Sequence, residues 1–520
     1  MSARILWINL AWMDLHSDHL QSPVTLGLAG FVATLISFLA YLSYTPRVDK
    51  RSPAFTSDTV PFVGSWGFFT RKQIFWDNAV AESKTGNFSF WLGKHHVVGV
   101  SGEAARKMYL DHRDLDFVAG AALVGHGPDF VPPIHEIFHP TFHNGRSYFQ
   151  RRLIDLLKSE QLAKRLPRAR SDARAAFEAL AKNPSGVMNP SYTCYRIVVK
   201  QCVRLVCTDE ISDDPKLLER CLGYLTILQS TTSIHTVAVP WLPSLSYMKR
   251  RYGRYGLRSL VTPIVSRRMK KGTPRVDDAL QVLIDNGDSK EYIINFLISI
   301  LFISTANAGV LAGAMLNIMA HHPDWQEKIY GEIKAAAAAH SKNKDAPLVD
   351  QLDSIPLEAW DSSFPSLDLC FEEAIRMWVA FPMIRLNTAP DPIPIPGTDE
   401  VIPAGSFASY NTTDVHFNEE LYPNPARYDP NRFREGRQEF KKQTYGFVGW
   451  GQGRHPCLGM RWAKMQQHII IAYALAMFKW SGCDANGQPN PHFDRKTDMN
   501  SHAPSLPQGL YCKHVPREKI

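Results

Sequence analysis

Residues 292–321 constrain this chain more than any other segment, because thirty positions pass without an Asp, Glu, Lys or Arg. As a helix the run would extend about 45 Å. A helix that is apolar on every side is stable only when it is covered on every side. A second membrane span would cover it. Its polar members Ser299, Ser304, Thr305, Asn307 and Asn317 favour a protein core instead. The chain has 520 residues, long enough to build that core. Length alone allows about two to four domains, but no boundary divides the body convincingly.

The other segments have weaker patterns. Phe88–Leu92 and His95–Val100 read as the short strands of a hairpin around Gly93-Lys94. Residues 148–181 read as helix broken near Pro167, and 190–229 as helical. Pro240, Pro243, Gly253 and Gly256 mark turns or short breaks. A helix is expected over 368–378, turns and short strands over 390–403, and a last amphipathic helix over 458–480. The body is thus mainly α with small β-sheets.

From 23 to 44 there is no charged residue, about the length of a transmembrane helix. Tyr41 and Tyr44 suit the interface, and Arg47, Lys50 and Arg51 follow while only Arg4 precedes. That asymmetry places the body in the cytosol. A cleaved signal peptide is the rival, weakened by the late start and the missing basic region. The division expected is an anchor over 1–45 and a catalytic body over 46–520, with Pro46 and Pro53 in the linker.

The net charge is +8, from 58 Lys and Arg against 50 Asp and Glu, which is only mildly basic. Without zinc-finger spacing or a dense basic run, no nucleic-acid partner is expected. Eight cysteines are scattered with no C-x-x-C pair, which fits a reduced compartment better than a disulfide framework.

One of them sits differently. In Trp450-Gly-Gln-Gly-Arg-His-Pro-Cys457-Leu-Gly459 a cysteine lies among glycines just before a helix. A helix amino terminus and flanking basic residues favour thiolate. Gly451, Gly453 and Gly459 let the backbone pass close to a flat ligand. A thiolate held this way suits haem iron. The bland alternative is a buried apolar cysteine.

This loop resembles the signature of the cytochrome P450 superfamily, Phe-x-x-Gly-x-Arg-x-Cys-x-Gly. Gly453, Cys457 and Gly459 match it, while Trp450 stands for Phe and His455 for Arg. Glu373-Ala-Ile-Arg376 resembles the family's Glu-x-x-Arg pair, and Pro430-Asn-Arg-Phe433 its Pro-x-Arg-Phe segment. The resemblance implies that Glu373, Arg376 and Arg432 form a buried network. It implies haem b, with Cys457 as axial ligand and Trp450 shielding the sulfur. Arg152 (four residues after Tyr148), Arg385 and His455 are then the groups for the haem propionates. The basic residues Arg434, Arg437, Lys441, Lys442, Arg461 and Lys464 would form the face that receives an NADPH-cytochrome P450 reductase, and cytochrome b5 is a further candidate partner.

The long helix departs from the family. Register from His322-Pro323 puts Ala306 where an acid is usual and Asn307 where an alcohol is usual. Thr305 and Asn307 are the catalytic candidates. An amide orients water but is a poor proton donor. Protons would then come through water or from the substrate. Alternatively, the enzyme is an isomerase or dehydratase that needs no O₂ activation, or the Asn only stabilises a helix kink. Pocket positions implied by the resemblance are Phe130, Val131, Phe302, Phe381, Met383 and Leu506, largely apolar. The expected enzyme is a microsomal, fungal-looking monooxygenase, single-pass in the endoplasmic reticulum membrane and facing the cytosol. Its substrate would be a terpenoid, sterol, fatty or aromatic secondary metabolite. A non-catalytic haem sensor is the remaining rival.

Overall fold

The computed structural model describes residues 23–44, 46–60, 63–125, 134–139, 145–229, 244–490, 499–500 and 509–517. Phe130, Val131, Leu506, Pro240 and Pro243 lie outside them. Near the chain start, helix α1 (Pro23–Ser43) exposes every residue from Leu26 to Ala40. None of the described residues of the body covers it.

Around the long apolar run the chain is mainly helical. Helices α2 (Glu103–Asp111) and α3 (Phe117–Gly125) precede α4 (Tyr148–Leu156) and α5 (Ser159–Ala181). Then come α6 (Pro190–Val206), α7 (Pro215–Gln229) and α8 (Leu245–Arg268). The run itself is α9 (Lys290–His321), capped by the Ser289 side chain, which accepts from Tyr292 N–H. After it come α10 (Pro365–Trp378) and α11 (Met460–Met477).

Helix α9 is the core. Ile293 to Leu301 and Gly309 to Ala320 are buried without a break. Its closest neighbour is α6. Gly309 and Gly313 lie one turn apart on the face that meets it. A Cβ on Gly313 would stand 2.7 Å from Ser191 Cα, and one on Gly309 2.3 Å from the Tyr195 ring. Only hydrogen at both positions permits this approach.

A seven-stranded sheet lies to one side. Strands β1 (Phe88–Leu92) and β2 (His95–Val100) form the expected hairpin, with Gly93 at φ +58°. Strand β3 (Pro382–Asn387) pairs antiparallel with β4 (Phe407–Asn411), which runs parallel to β2. The end of the chain supplies β5 (Phe478–Cys483) and β6 (Tyr511–Pro516), an antiparallel pair.

Three expectations need correction and a fourth, the helical character of 190–229, needs only refinement. The break in 148–181 falls at Leu157 and Lys158, where ψ of Lys158 is 146°; Pro167 sits inside α5 without ending it. Residues 190–229 form α6, a short turn of helix at Asp209–Asp213, and α7. Gly253 and Gly256 are inside α8 and break nothing. They admit α7, since a Cβ on Gly256 would lie 2.3 Å from the Tyr224 ring. The last helix ends at Met477 and turns directly into strand. It is not amphipathic over its second half, because Met465 to Met477 are all buried.

A recess between the long helix and the cysteine loop

The buried stripe of α9 opens once. Ile303 and Asn307 are exposed, and Phe302, Ser304, Ala306 and Ala308 are partly so. Ile303 and Asn307 are four residues apart and therefore on one face. An exposed window in the middle of a core helix marks an interior recess. Gln467 Nε2 of α11 donates to Ala308 O beside it at 3.3 Å, which ties the two helices together at that level.

Cys457 precedes α11. Of the eight cysteines it alone is exposed; the other seven are buried. Burial nevertheless pushes the Cys457 thiol pKa up, partly opposed by the Gly459 backbone N–H. A sulfur that a small molecule can reach, yet walled by protein, lies on the floor of a hollow. The helix end does not by itself make the thiolate expected above; coordination to a metal would.

The loop around it is held by its backbone. Cys457 N–H donates to Trp450 O at 2.6 Å. Gly451 and Gly453 have φ of +65° and +62°, and Cβ atoms there would strike His455 O and Leu110 O. Gly459 is different. Its φ is −91°, and a Cβ would meet nothing within 4 Å. Its side of the loop borders open space. Trp450 packs edge-on against Phe371 at 5.6 Å, and its buried Nε1 has no partner.

Basic groups gather beside the loop. Arg385 on β3 is buried and donates to Tyr109 O at 2.6 Å and Leu110 O at 3.2 Å, the last carbonyls of α2. Leu110 O also accepts from Arg454 N–H. Burial lowers the Arg385 pKa, and that of His455 falls to about 4 through burial, then Arg385, then Arg454. The Arg385 Nε is buried without a partner. Mutually repelling cations with an unfilled donor fit the carboxylates of an anionic ligand.

Glu373 and Arg376 on α10 are both wholly buried. Arg376 Nε and Nη2 donate to the carboxylate at 2.7 and 2.8 Å. Arg432 Nε stands 3.4 Å from Glu373, and its Nη1 donates to Glu439 at 2.9 Å. The remaining Arg376 donors hold His416 O and Pro425 O. His416 in turn accepts from Val448 N–H at 3.1 Å and stacks on Phe447. Thus one carboxylate is linked to the strand of chain that enters the cysteine loop. The three charged residues stand out in the sequence, whereas His416 and the α2 carbonyls carry no sequence signal and Arg454 only that of its position inside the loop.

Two placements differ from expectation. Thr305 is wholly buried on the opposite side of α9 from the window. Its hydroxyl donates to Leu301 O at 2.7 Å and accepts from Gln229. Arg152 is bound bidentately by Asp288, at 2.7 and 2.5 Å, and also by Asp155. Asp288 lies before the first turn of α9, about 28 Å along the helix from Asn307. Neighbouring Arg151 carries the buried, unpartnered Nε. Met383 is half-buried and Phe381 exposed, both at the start of β3. Of the basic surface residues, Arg437, Arg461 and Lys464 are paired with Asp429, Asp361 and Asp368. Arg434, Lys441 and Lys442 stay exposed.

Comparison with known proteins agrees with this geometry. The family model for Cytochrome P450 matches residues 53–504. The chain is 68% identical over 498 residues to Cytochrome P450 monooxygenase AacuE of Aspergillus aculeatus, covering 95% of this chain and 99% of that one. It is 53% identical over 499 residues to Cytochrome P450 monooxygenase nsrP of Aspergillus novofumigatus, covering 95% and 96%. Among solved structures, retinoic acid bound cyanobacterial CYP120A1 superposes with a TM-score of 0.65 at 18% identity, covering 89% of this chain and 99% of that one. The chain belongs to the cytochrome P450 family, and it is a monooxygenase of that family. The family carries haem b on a cysteine thiolate, and the exposed thiol, the open side of Gly459 and the unfilled Arg385 and Trp450 donors fit that group.

Proposed function

We propose that Cys457 is the axial haem ligand and that the chain inserts one atom of O₂ into a lipophilic secondary metabolite, a terpenoid, sterol, fatty or aromatic compound. Electrons would come from NADPH through a reductase, with cytochrome b5 as an auxiliary donor. The observation that carries this reading is that one cysteine of eight is exposed, in a molecule whose core helix opens a window. When bound, haem supplies O₂ activation with the electron push of its thiolate.

The chain's own residues do the rest. Arg385, Arg454 and His455 hold the propionates. Glu373, Arg376 and Arg432 fix the approach to the loop through His416 and Val448. Ile303, Phe302 and Ala306 line the apolar wall, with Phe381 and Met383 as further pocket residues. Exposed Arg434, Lys441 and Lys442 steer an acidic redox partner. Helix α1 anchors the chain in the endoplasmic reticulum membrane, and 46–520 forms the catalytic body on the cytosolic side; the uncovered apolar surface of α1 supports this. Arg152, tied to Asp288, takes no part in holding the propionates.

A second reading rests on Ala306 and Asn307, which offer no acid and no alcohol at the window. It makes the enzyme an isomerase or dehydratase on the same haem. Both readings meet one experiment. Reduced, CO-treated protein should give the red-shifted Soret band of a thiolate, and Cys457→Ala should lose it. Turnover under ¹⁸O₂ with NADPH and reductase should then give labelled product. Unlabelled, NADPH-independent product favours the isomerase. A wild-type protein without the thiolate band overturns both.

A further inference from the structure

Asn307 is an unusual residue for its place. It sits mid-helix, where Asn is a poor helix former, on the face that opens into the recess. Its neighbours settle their own polar groups: Ser304 and Thr305 both return hydrogen bonds to Leu301 O. Asn307 makes no side-chain hydrogen bond within the protein among the described residues. Around it the wall is largely apolar, with Ile303 one turn before and Ala306 beside it; Ser304, the other polar neighbour, turns its hydroxyl to Leu301 O. A carboxamide on such a wall, in a space that a lipophile fills, is left unpaired unless the occupant pairs it.

We propose that the Asn307 carboxamide is the polar anchor of the substrate site: it holds a hydroxyl or carbonyl oxygen of an otherwise apolar substrate and selects that compound over the hydrocarbon of the same shape. This rests on the recess being the substrate and haem site. The amide offers both a donor and an acceptor, so either oxygen type is served. An unpaired polar group in a dry pocket penalises the analogue that lacks the oxygen. Selection therefore falls on lipophiles already carrying oxygen, the products of an earlier oxygenation or of a synthesis that leaves phenols or ketones. The same residue needs to pass no proton, which fits the missing acid at Ala306.

The test uses the full-length, haem-loaded protein with 1-naphthol and naphthalene as probes. Binding is measured by equilibrium dialysis, as the fraction displaced by a saturating azole. The naphthol-to-naphthalene affinity ratio should fall about tenfold in Asn307→Leu, the size of one buried hydrogen bond. Asn307→Thr, which keeps a hydroxyl, should lie between. A ratio in Asn307→Leu within about twofold of wild type overturns the anchor. If the thiolate Soret band is present while the ratio does not move, the anchor alone fails. If the wild type lacks that band, the recess reading fails with it.

Discussion

Glu373 has no exposed surface and faces two guanidinium groups, so its removal leaves buried charge without a counterion. Glu373→Gln should cost about 3–5 kcal/mol, read as a lower denaturant midpoint and faster haem loss. The histidines behave differently. Burial lowers the pKa of His416 to about 3 and of His96 to about 4. Both stay neutral in the folded chain while the unfolded chain, with an ordinary value near 6.5, takes up protons. Acid therefore weakens the fold between about pH 6.5 and pH 4, by at most about 1.4 kcal/mol per pH unit for each histidine. Denaturation midpoints measured from pH 7 to pH 5 should fall. His416→Gln, whose side-chain oxygen can accept from Val448 N–H without titrating, should make the slope shallower. At this scale the sequence was readable where a residue type has one good use. Cys457, Glu373 and Arg376 stand out by spacing. Thr305 and Arg152 were misplaced because spacing does not say which face a side chain takes. It gave no hint of Asp288, which captures Arg152 from 136 positions away.

Helices here are often fitted to each other by what they lack. Gly313 meets the backbone of α6, not a flexible side chain, so there is little that can yield. Gly313→Ala should lower stability by about 1–3 kcal/mol, although Ala is the better helix former by about 1 kcal/mol. A thermal midpoint that rises would show that α6 shifts freely. Glycines read from sequence alone suggest a break, as Gly253 and Gly256 did in α8. Their actual use depends on a partner helix whose position the local pattern does not encode. Pro167 is the same kind of case, a breaker signal overridden by a helix that continues around it. Apolar run length was the dependable signal. It gave the core helix within two residues, while the Gly93-Lys94 turn gave the β1–β2 hairpin outright. The end of α11 was missed because Phe478 and Trp480 are as apolar in a strand as they would be in a helix.

The whole molecule joins an apolar helix, exposed from Leu26 to Ala40, to a body that covers its own core. Deleting residues 1–45 should move most of the protein from the membrane pellet into the supernatant after an alkaline carbonate wash, with the thiolate band retained. Unchanged partition would mean that the body binds membrane without α1. Fold class and motif residues were legible together because the motifs fall in order along one chain; the recess was not, since α9 and α11 converge from segments 159 positions apart. That convergence is also a statement about time. The carbonyls at the end of α2 receive Arg385 from 275 residues later, and Leu110 receives Arg454 later still. A ribosome has made nearly nine-tenths of this chain before the last wall of the pocket emerges. The cell must therefore deliver the cofactor to a nearly finished protein, since a nascent chain stalled before Cys457 lacks the proposed thiolate ligand.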